Sequence, residues 1–381
     1  MRVLHFYKTS ILDSTGGVET FIDNLCNATD DLGIENTVLA LTAKVKSLPV
    51  ERSAKYQTIQ VKRHLFFAST GFSFSAFREF KRLARQADIV HYYFPNPFAD
   101  ILHFCCRIKN PTVLTYQSDI IKQKYLLNFY RPLMRRFLQS MDRVVVTSPN
   151  YLATSSTLAQ LKNEKKSEKI KVIPIGIDRA DYPEVTEEKL NYWRTQLKQP
   201  FFLFVGALRY YKGLHFALDA VKGTNIQLVI AGGAVAGGDN VEYQLKAYAK
   251  QHKLHNVHFV DWISNKDKAA LLQLCYGFVF PSHLRSEAFG ISLLEAAAYA
   301  KPLISCEIGT GTSFVNQDQY TGLVVKPGSP PALREAMEYL LANPERAANF
   351  GACAAKHYQK HFTLAEQAKA YVEVYKNLLK R

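Results

Sequence analysis

Long apolar runs are missing from this 381-residue sequence. None approaches the ~20 residues of a membrane-spanning helix, so the chain is expected not to cross a bilayer. Its first residues, Met1-Arg2-Val3-Leu4-His5-Phe6-Tyr7, read as a strand and lack the apolar stretch of a secretory signal. Cysteine is scarce, and Cys26, Cys105, Cys106, Cys275, Cys306 and Cys353 show no metal-ligand spacing. Most sit in apolar surroundings, as buried thiols of a cytosolic protein do, which argues against a zinc module. The dinucleotide pattern G-x-G-x-x-G is absent after the strand-like run Gln227–Ala231, where the chain reads Gly232-Gly233-Ala234-Val235-Ala236-Gly237-Gly238. A nicotinamide cofactor is therefore disfavoured. No repeat of solenoid period and no low-complexity tract occurs.

Negative charge is also short. The 33 Asp+Glu face 48 Lys+Arg, giving +15. Residues 1–180 carry +11 of that excess, so an acidic partner is expected to meet the amino-terminal half. Anionic lipid, nucleic acid and a diphosphate-bearing acceptor all qualify. At 48% hydrophobic and 21% charged residues the chain is globular, and its length suits two domains. Strand and helix patterns alternate throughout, which predicts an α/β fold with mostly parallel sheets. The polar stretch from about 179 to 200, with Pro183 and Pro200, marks a boundary between domains 1–178 and 179–363.

The most informative stretch runs from Pro281 to Pro302. An apolar run, Gly277-Phe278-Val279-Phe280, reads as a buried strand, and after Phe289-Gly290 a helix carries Ile291, Leu294, Ala297 and Ala298 on its apolar side. Glu287 then lies on a loop at a strand's carboxyl end, where its removal should leave the fold intact, and Glu295 lies within the helix. Open α/β sheets bind ligands at such strand ends. The N–H groups around Phe289–Ser292 can hold a phosphate, and the two carboxylates can accept hydroxyls of a sugar and a ribose.

Ser286-Glu287-Ala288-Phe289-Gly290, four residues, then Glu295-Ala296 resembles the signature of family-4 retaining glycosyltransferases, S-E-x-F-G-x-x-x-x-E-A. The resemblance implies a GT-B fold: two Rossmann-like domains facing across a cleft, acceptor on the first and nucleotide sugar on the second. It also implies that the amphipathic helix Leu364–Leu379 crosses back to the first domain. Other segments fit. Gly206-Ala207-Leu208-Arg209-Tyr210-Tyr211-Lys212-Gly213 resembles the family's G-R-L-x-x-x-K-G, whose Arg and Lys grip the donor diphosphate. Lys212 matches; Ala207 holds the Arg position, and Arg209 is inferred to take over its role. Gly16-Gly17 matches a glycine pair that faces donor and acceptor phosphates. Gly232, Gly233 and Trp262 fall on loops that pass the ribose and base. Gln117 stands where the family carries a histidine that reaches the donor sugar; an amide still donates a hydrogen bond but bears no positive charge.

Implied by the resemblance are a metal-independent reaction, no cofactor beyond the nucleotide-sugar substrate, and a diphosphate leaving group stabilised by Arg209, Lys212 and helix-start N–H groups. A finer likeness, to bacterial lipopolysaccharide O-antigen mannosyl- or rhamnosyltransferases, rests on Tyr116–Asp119, Tyr130–Arg136, Thr147–Tyr151, Leu208–Leu214 and Ser305–Val315. It implies a GDP-linked donor and a lipid-linked glycan acceptor. Ile120–Met141 interleaves Lys122, Lys124, Arg131, Arg135 and Arg136 with apolar residues, as does Phe72–Arg85. Such segments suit an anionic membrane interface on the cytoplasmic side; core helices with basic outer faces fit them as well. Pro132 would divide the first of them into two helices. Three rival readings stay open at this point: a UDP-sugar donor, a GT-B nucleotide-sugar epimerase, and a basic nucleic-acid-binding protein. The last lacks any recognised motif of its class.

Overall fold

The computed structural model describes residues 1–14, 16–43, 55–67, 70–120, 124–161, 167–197, 200–233 and 240–380. The chain forms two compact units, Met1–Ile175 with Leu364–Arg381, and Gly176–Thr363.

The first unit is built on β1 (Arg2–Tyr7), β2 (Glu35–Thr42), β3 (Gln57–Lys62), a separate hairpin of β4 (Leu65–Phe67) and β5 (Thr70–Phe72), then β6 (Ile89–Phe94), β7 (Thr112–Tyr116), β8 (Arg143–Val146) and β9 (Ile170–Val172). Seven of these strands make one sheet in the order β3-β2-β1-β6-β7-β8-β9, every pair parallel. Runs such as Ile89–Phe94 are buried along their whole length, as strands covered by helices on both faces must be. The second unit repeats the plan with β10 (Phe201–Val205), β11 (Gln227–Ala231), β12 (Val257–Val260), β13 (Gly277–Phe280), β14 (Leu303–Cys306) and β15 (Gly322–Val325). Its order is β12-β11-β10-β13-β14-β15, again all parallel. Both units are Rossmann-like. In each, strand order reverses direction at one point, beside β1 and β6 in the first and beside β10 and β13 in the second, and a crevice opens at the carboxyl ends there.

The helix Leu364–Leu379 packs in the first unit through hydrogen bonds made by two buried tyrosines. Tyr375 Oη lies 2.8 Å from His91 Nδ1, and Tyr371 Oη lies 2.8 Å from Thr115 Oγ1, which is 2.7 Å from His91 Nε2. His5 extends this buried network, with Tyr93 Oη at 2.7 Å from Nδ1 and Asn36 Oδ1 at 2.9 Å from Nε2. Asn36 Nδ2 donates to the carbonyls of Cys26 and Ile34, which turns its oxygen to the imidazole. His5 therefore donates from Nε2 and is neutral. Burial pulls its pKa down to about 4 against a partial upward pull from Asn36, and burial with His5 nearby pushes His91 well below 6.5.

This gives stability a sign with pH. Above about 6.5 both imidazoles are neutral in the folded and unfolded chain, and no proton is at stake. As pH falls from 6.5 toward 4 the unfolded chain takes up protons that the fold refuses, so stability drops. For His5 the displacement from 6.5 to about 4 corresponds to roughly 3 kcal/mol. The urea midpoint should fall between pH 6.5 and 4.5, and fall less in His5→Asn; equal slopes for the two proteins would refute the assignment.

A single helix, Lys124–Ser140, passes through Pro132 rather than breaking there. Asn128 and Pro132 both lie on the exposed side, so the carbonyl that loses its partner can turn to solvent. Met134, Phe137 and Leu138 are buried, while Arg131, Arg135 and Arg136 are exposed. Lys122 and the side chain of Lys124 lie outside the described residues. Among the described residues no helix is long and apolar enough to cross a membrane.

Candidate active site

The second unit gathers polar groups at its reversal point. After β10 the chain turns through Gly206 to a 3-10 turn, Tyr210–Lys212; after β13 it runs from Pro281 through Glu287 to the helix Ile291–Ala298. Neighbouring loops are stitched together by backbone bonds. Gly206 N–H donates to Ala231 O at 3.0 Å, Leu208 N–H to Gly233 O at 3.1 Å, and Gly232 N–H to Val260 O at 2.9 Å. Two of these loop positions combine a positive φ with backbone too close for a Cβ. Gly213 has φ +70° and a Cβ there would strike the Pro281 carbonyl; Gly232 has φ +135° and a Cβ would strike that of Gly206.

Lys212 and Glu287 form an ion pair, and both are buried. The ammonium also lies 4.6 Å from the centroid of the Phe280 ring. Burial works to lower the Lys212 pKa, but the Glu287 carboxylate outweighs it and holds the lysine above its usual range. Lys212 is thus a permanent cation at the strand ends. Arg209, three residues earlier, is half-buried and has no ion-pair partner among the described residues. A fixed cation and an unengaged one beside it are suited to a group that gains negative charge during a reaction.

Glu295 is buried on the first turns of Ile291–Ala298. Its Oε1 accepts from Tyr182 Oη at 2.5 Å and from Lys268 Nζ at 2.9 Å. Lys268 in turn sits 4.7 Å from the Tyr182 ring centroid. These two partners were not anticipated, and no local pattern marks them: Tyr182 comes from the irregular segment before Pro183, Lys268 from the helix Asn265–Leu274. Oε1 is thus doubly occupied by groups of the protein itself.

Gly290 precedes the Ile291–Ala298 helix, which has no side-chain cap; Leu293 N–H donates to Gly290 O at 2.9 Å, and among the described residues the N–H groups of Ile291 and Ser292 have no acceptor. Phe289 turns its ring inward, 6.1 Å from that of Phe362, leaving only its backbone for a ligand. Trp262 is 67% exposed after β12, and a Cβ on Gly233 would come within 2.5 Å of its Nε1, so the indole is in close contact with that glycine. In the first unit, Gly16 precedes the helix Gly17–Asp30, again without a side-chain cap. Here the protein supplies its own anion: Glu19 accepts from Thr9 Oγ1 beside Gly16, which already matches the helix dipole and favours a hydroxyl over a phosphate as ligand. Gln117 directly follows β7 in the first unit, its N–H bonded to Phe94 O at 3.0 Å and its side chain buried. Among the described residues no group of three or more His, Cys, Asp or Glu could hold a metal ion.

Two Rossmann-like units, with a buried Lys–Glu pair and an uncapped helix start at the reversal point of the second, are the arrangement found in GT-B glycosyltransferases, and the likenesses below place the chain among them. Among solved structures the fold is similar to the sucrose-phosphate synthase of Thermosynechococcus elongatus, with a TM-score of 0.80 at 19% identity, over 100% of this chain and 99% of that one. Residues 15–181 match the family described as Glycosyltransferase Family 4, and residues 185–357 that described as Glycosyl transferases group 1. The chain belongs to the family-4 glycosyltransferases. It is 48% identical over 363 residues to D-rhamnosyltransferase WbpZ of Pseudomonas aeruginosa, covering 95% of this chain and 92% of that protein. It is 44% identical over 379 residues to O-antigen chain mannosyltransferase C of Escherichia coli, covering 100% and 99%.

Proposed function

We propose that this enzyme transfers a hexose, mannose or a related sugar such as D-rhamnose, from a GDP-linked donor to a lipid-linked glycan during lipopolysaccharide O-antigen synthesis. Transfer proceeds with retention at the anomeric carbon and without a metal or other cofactor. The observation that carries the reaction class is the buried Lys212–Glu287 pair close in sequence to Arg209, which has no ion-pair partner among the described residues. As the sugar–phosphate bond breaks, Arg209, Lys212 and the first-turn N–H groups at Ile291 meet the charge growing on the diphosphate. Glu287, held in place by Lys212, accepts a sugar hydroxyl, and Glu295 accepts the ribose. In a front-face route the departing phosphate oxygen takes the acceptor's proton, so no separate base is needed. The full-length likeness to a D-rhamnosyltransferase and an O-antigen mannosyltransferase supports the choice of sugar and pathway. The +11 excess of residues 1–180 supports an anionic partner, in this reading the inner face of the cytoplasmic membrane.

One assay tests these points together. Purified enzyme is offered GDP-mannose, GDP-linked D-rhamnose and UDP-glucose with a lipid-linked acceptor, with and without EDTA, and the product is read by NMR. A GDP-sugar should be consumed, the chelator should change nothing, and the new bond should keep the donor's configuration. Turnover of the UDP-sugar alone would overturn the donor assignment, an inverted product would overturn retention, and loss of activity in EDTA would overturn metal independence. Isomerised donor without acceptor would point to an epimerase.

A further inference from the structure

The hairpin β4–β5 stands outside both large sheets. Successive residues of a strand point to opposite sides, so at least one of three in a row ordinarily faces the protein. In β4 none does: Leu65, Phe66 and Phe67 are 60%, 62% and 63% exposed. Phe74, opening the helix Phe74–Ala84, is 73% exposed. The partner strand supplies the attachment instead, with Thr70 and Gly71 buried and the Phe72 ring 5.4 Å from that of Phe98. Four large apolar side chains exposed within ten residues form a patch, not the scatter expected of a surface.

Cations surround it. From Gln57 to Ala87 the chain has six Lys or Arg and one acid, Glu79, which is paired with Arg82. Lys62, Arg78, Lys81 and Arg85 are exposed. Arg63 lies across the hairpin, where a Cβ on Gly71 would come within 2.8 Å of its Cδ, and brings its guanidinium 4.6 Å from the centroid of Phe66. His64 accepts the N–H of Phe74 at 3.2 Å on Nδ1, which ties the hairpin to the helix start.

We propose that this hairpin and Phe74 are the element that enters an anionic lipid surface. Leu65, Phe66, Phe67 and Phe74 go among the acyl chains while Lys62, Arg63, Arg78, Lys81 and Arg85 stay at the headgroup phosphates. A protein partner would have to cover the apolar side chains and neutralise the cations with matched geometry; a fluid anionic surface meets both demands without shape. The inference rests on the reading that the enzyme works at a membrane, and it names the site. The basic helix Lys124–Ser140 is less suited, because Met134, Phe137 and Leu138 are buried and Phe129, 88% exposed, is alone among its described side chains in offering a large exposed apolar group.

The test uses the full chain with vesicles of phosphatidylglycerol and phosphatidylethanolamine, and of phosphatidylcholine alone. Wild type should bind the first and not the second. The triple variant Leu65→Ser, Phe66→Ser, Phe67→Ser should bind at least about tenfold more weakly, with an unchanged circular dichroism spectrum and an unchanged rate on a soluble acceptor analogue. In a Phe66→Trp variant the added indole emission should shift to the blue on binding and be quenched by brominated acyl chains. Equal binding by the triple variant and wild type would overturn the hairpin's role and leave the membrane reading standing; failure of wild type to bind either vesicle would overturn both. Lipid-free self-association of wild type that the triple variant abolishes would assign the patch to a second copy of the chain and overturn the lipid assignment.

Discussion

Glu287→Ala is expected to abolish transfer, by about a thousandfold, and to destabilise the protein at the same time. The first effect follows from losing the sugar acceptor and the group that positions Lys212, near the upper end of what one preorganised contact supplies. The second follows from burial. Without Glu287 the Lys212 ammonium is left unpaired in a site from which water is largely excluded, a change that commonly costs about 3–5 kcal/mol. In a unit of this size that lowers Tm by roughly 10 °C. Glu287→Gln preserves an acceptor for the lysine, so it should recover much of the Tm but not the rate. Thermal melts and initial rates on the three proteins decide it: a variant with wild-type rate would remove Glu287 from the mechanism.

Arg209→Ala and Lys212→Ala are expected to separate catalysis from stability. In the proposed mechanism each removes a cation that meets the leaving diphosphate, for about a hundredfold loss of kcat. Arg209 has no ion-pair partner among the described residues, so its removal should leave Tm within a degree or two. Lys212→Ala strands the buried Glu287 carboxylate and should lower Tm as Glu287→Ala does. If both variants melt together and react at wild-type rate, the diphosphate is bound elsewhere.

How much of this was readable from the sequence depended on distance along the chain. Gly277–Ala298 declared itself because a strand, a loop and a helix start follow one another within a few turns, and both glutamates lie inside that window. Their partners do not. Lys212 is 75 residues from Glu287, so a loop carboxylate that reads as solvated is buried in a pair. Tyr182 is 113 residues from Glu295, in an irregular stretch with no pattern to mark it. Composition also failed to say which side of a helix faces inward: among the described side chains of Lys124–Ser140, Met134, Phe137 and Leu138 form a buried stripe and Arg131, Arg135 and Arg136 an exposed basic face. The run Leu65-Phe66-Phe67 carries the opposite lesson, since three adjacent apolar residues can all be left in solvent.

The first unit is not contiguous in the chain, and this sets an order of events on the ribosome. Gly176–Thr363 is a continuous segment holding the whole of its own sheet, so it can close as soon as it has emerged. The unit synthesised earlier cannot. Until Leu364–Leu379 follows, His91 and Thr115 lack the hydroxyls of Tyr375 and Tyr371, and polar groups meant for the interior have only water or one another. The half of the protein translated first is thus the half completed last, and it spends the translation of 188 residues with an open flank. Chaperone capture, if it occurs, should fall in that interval.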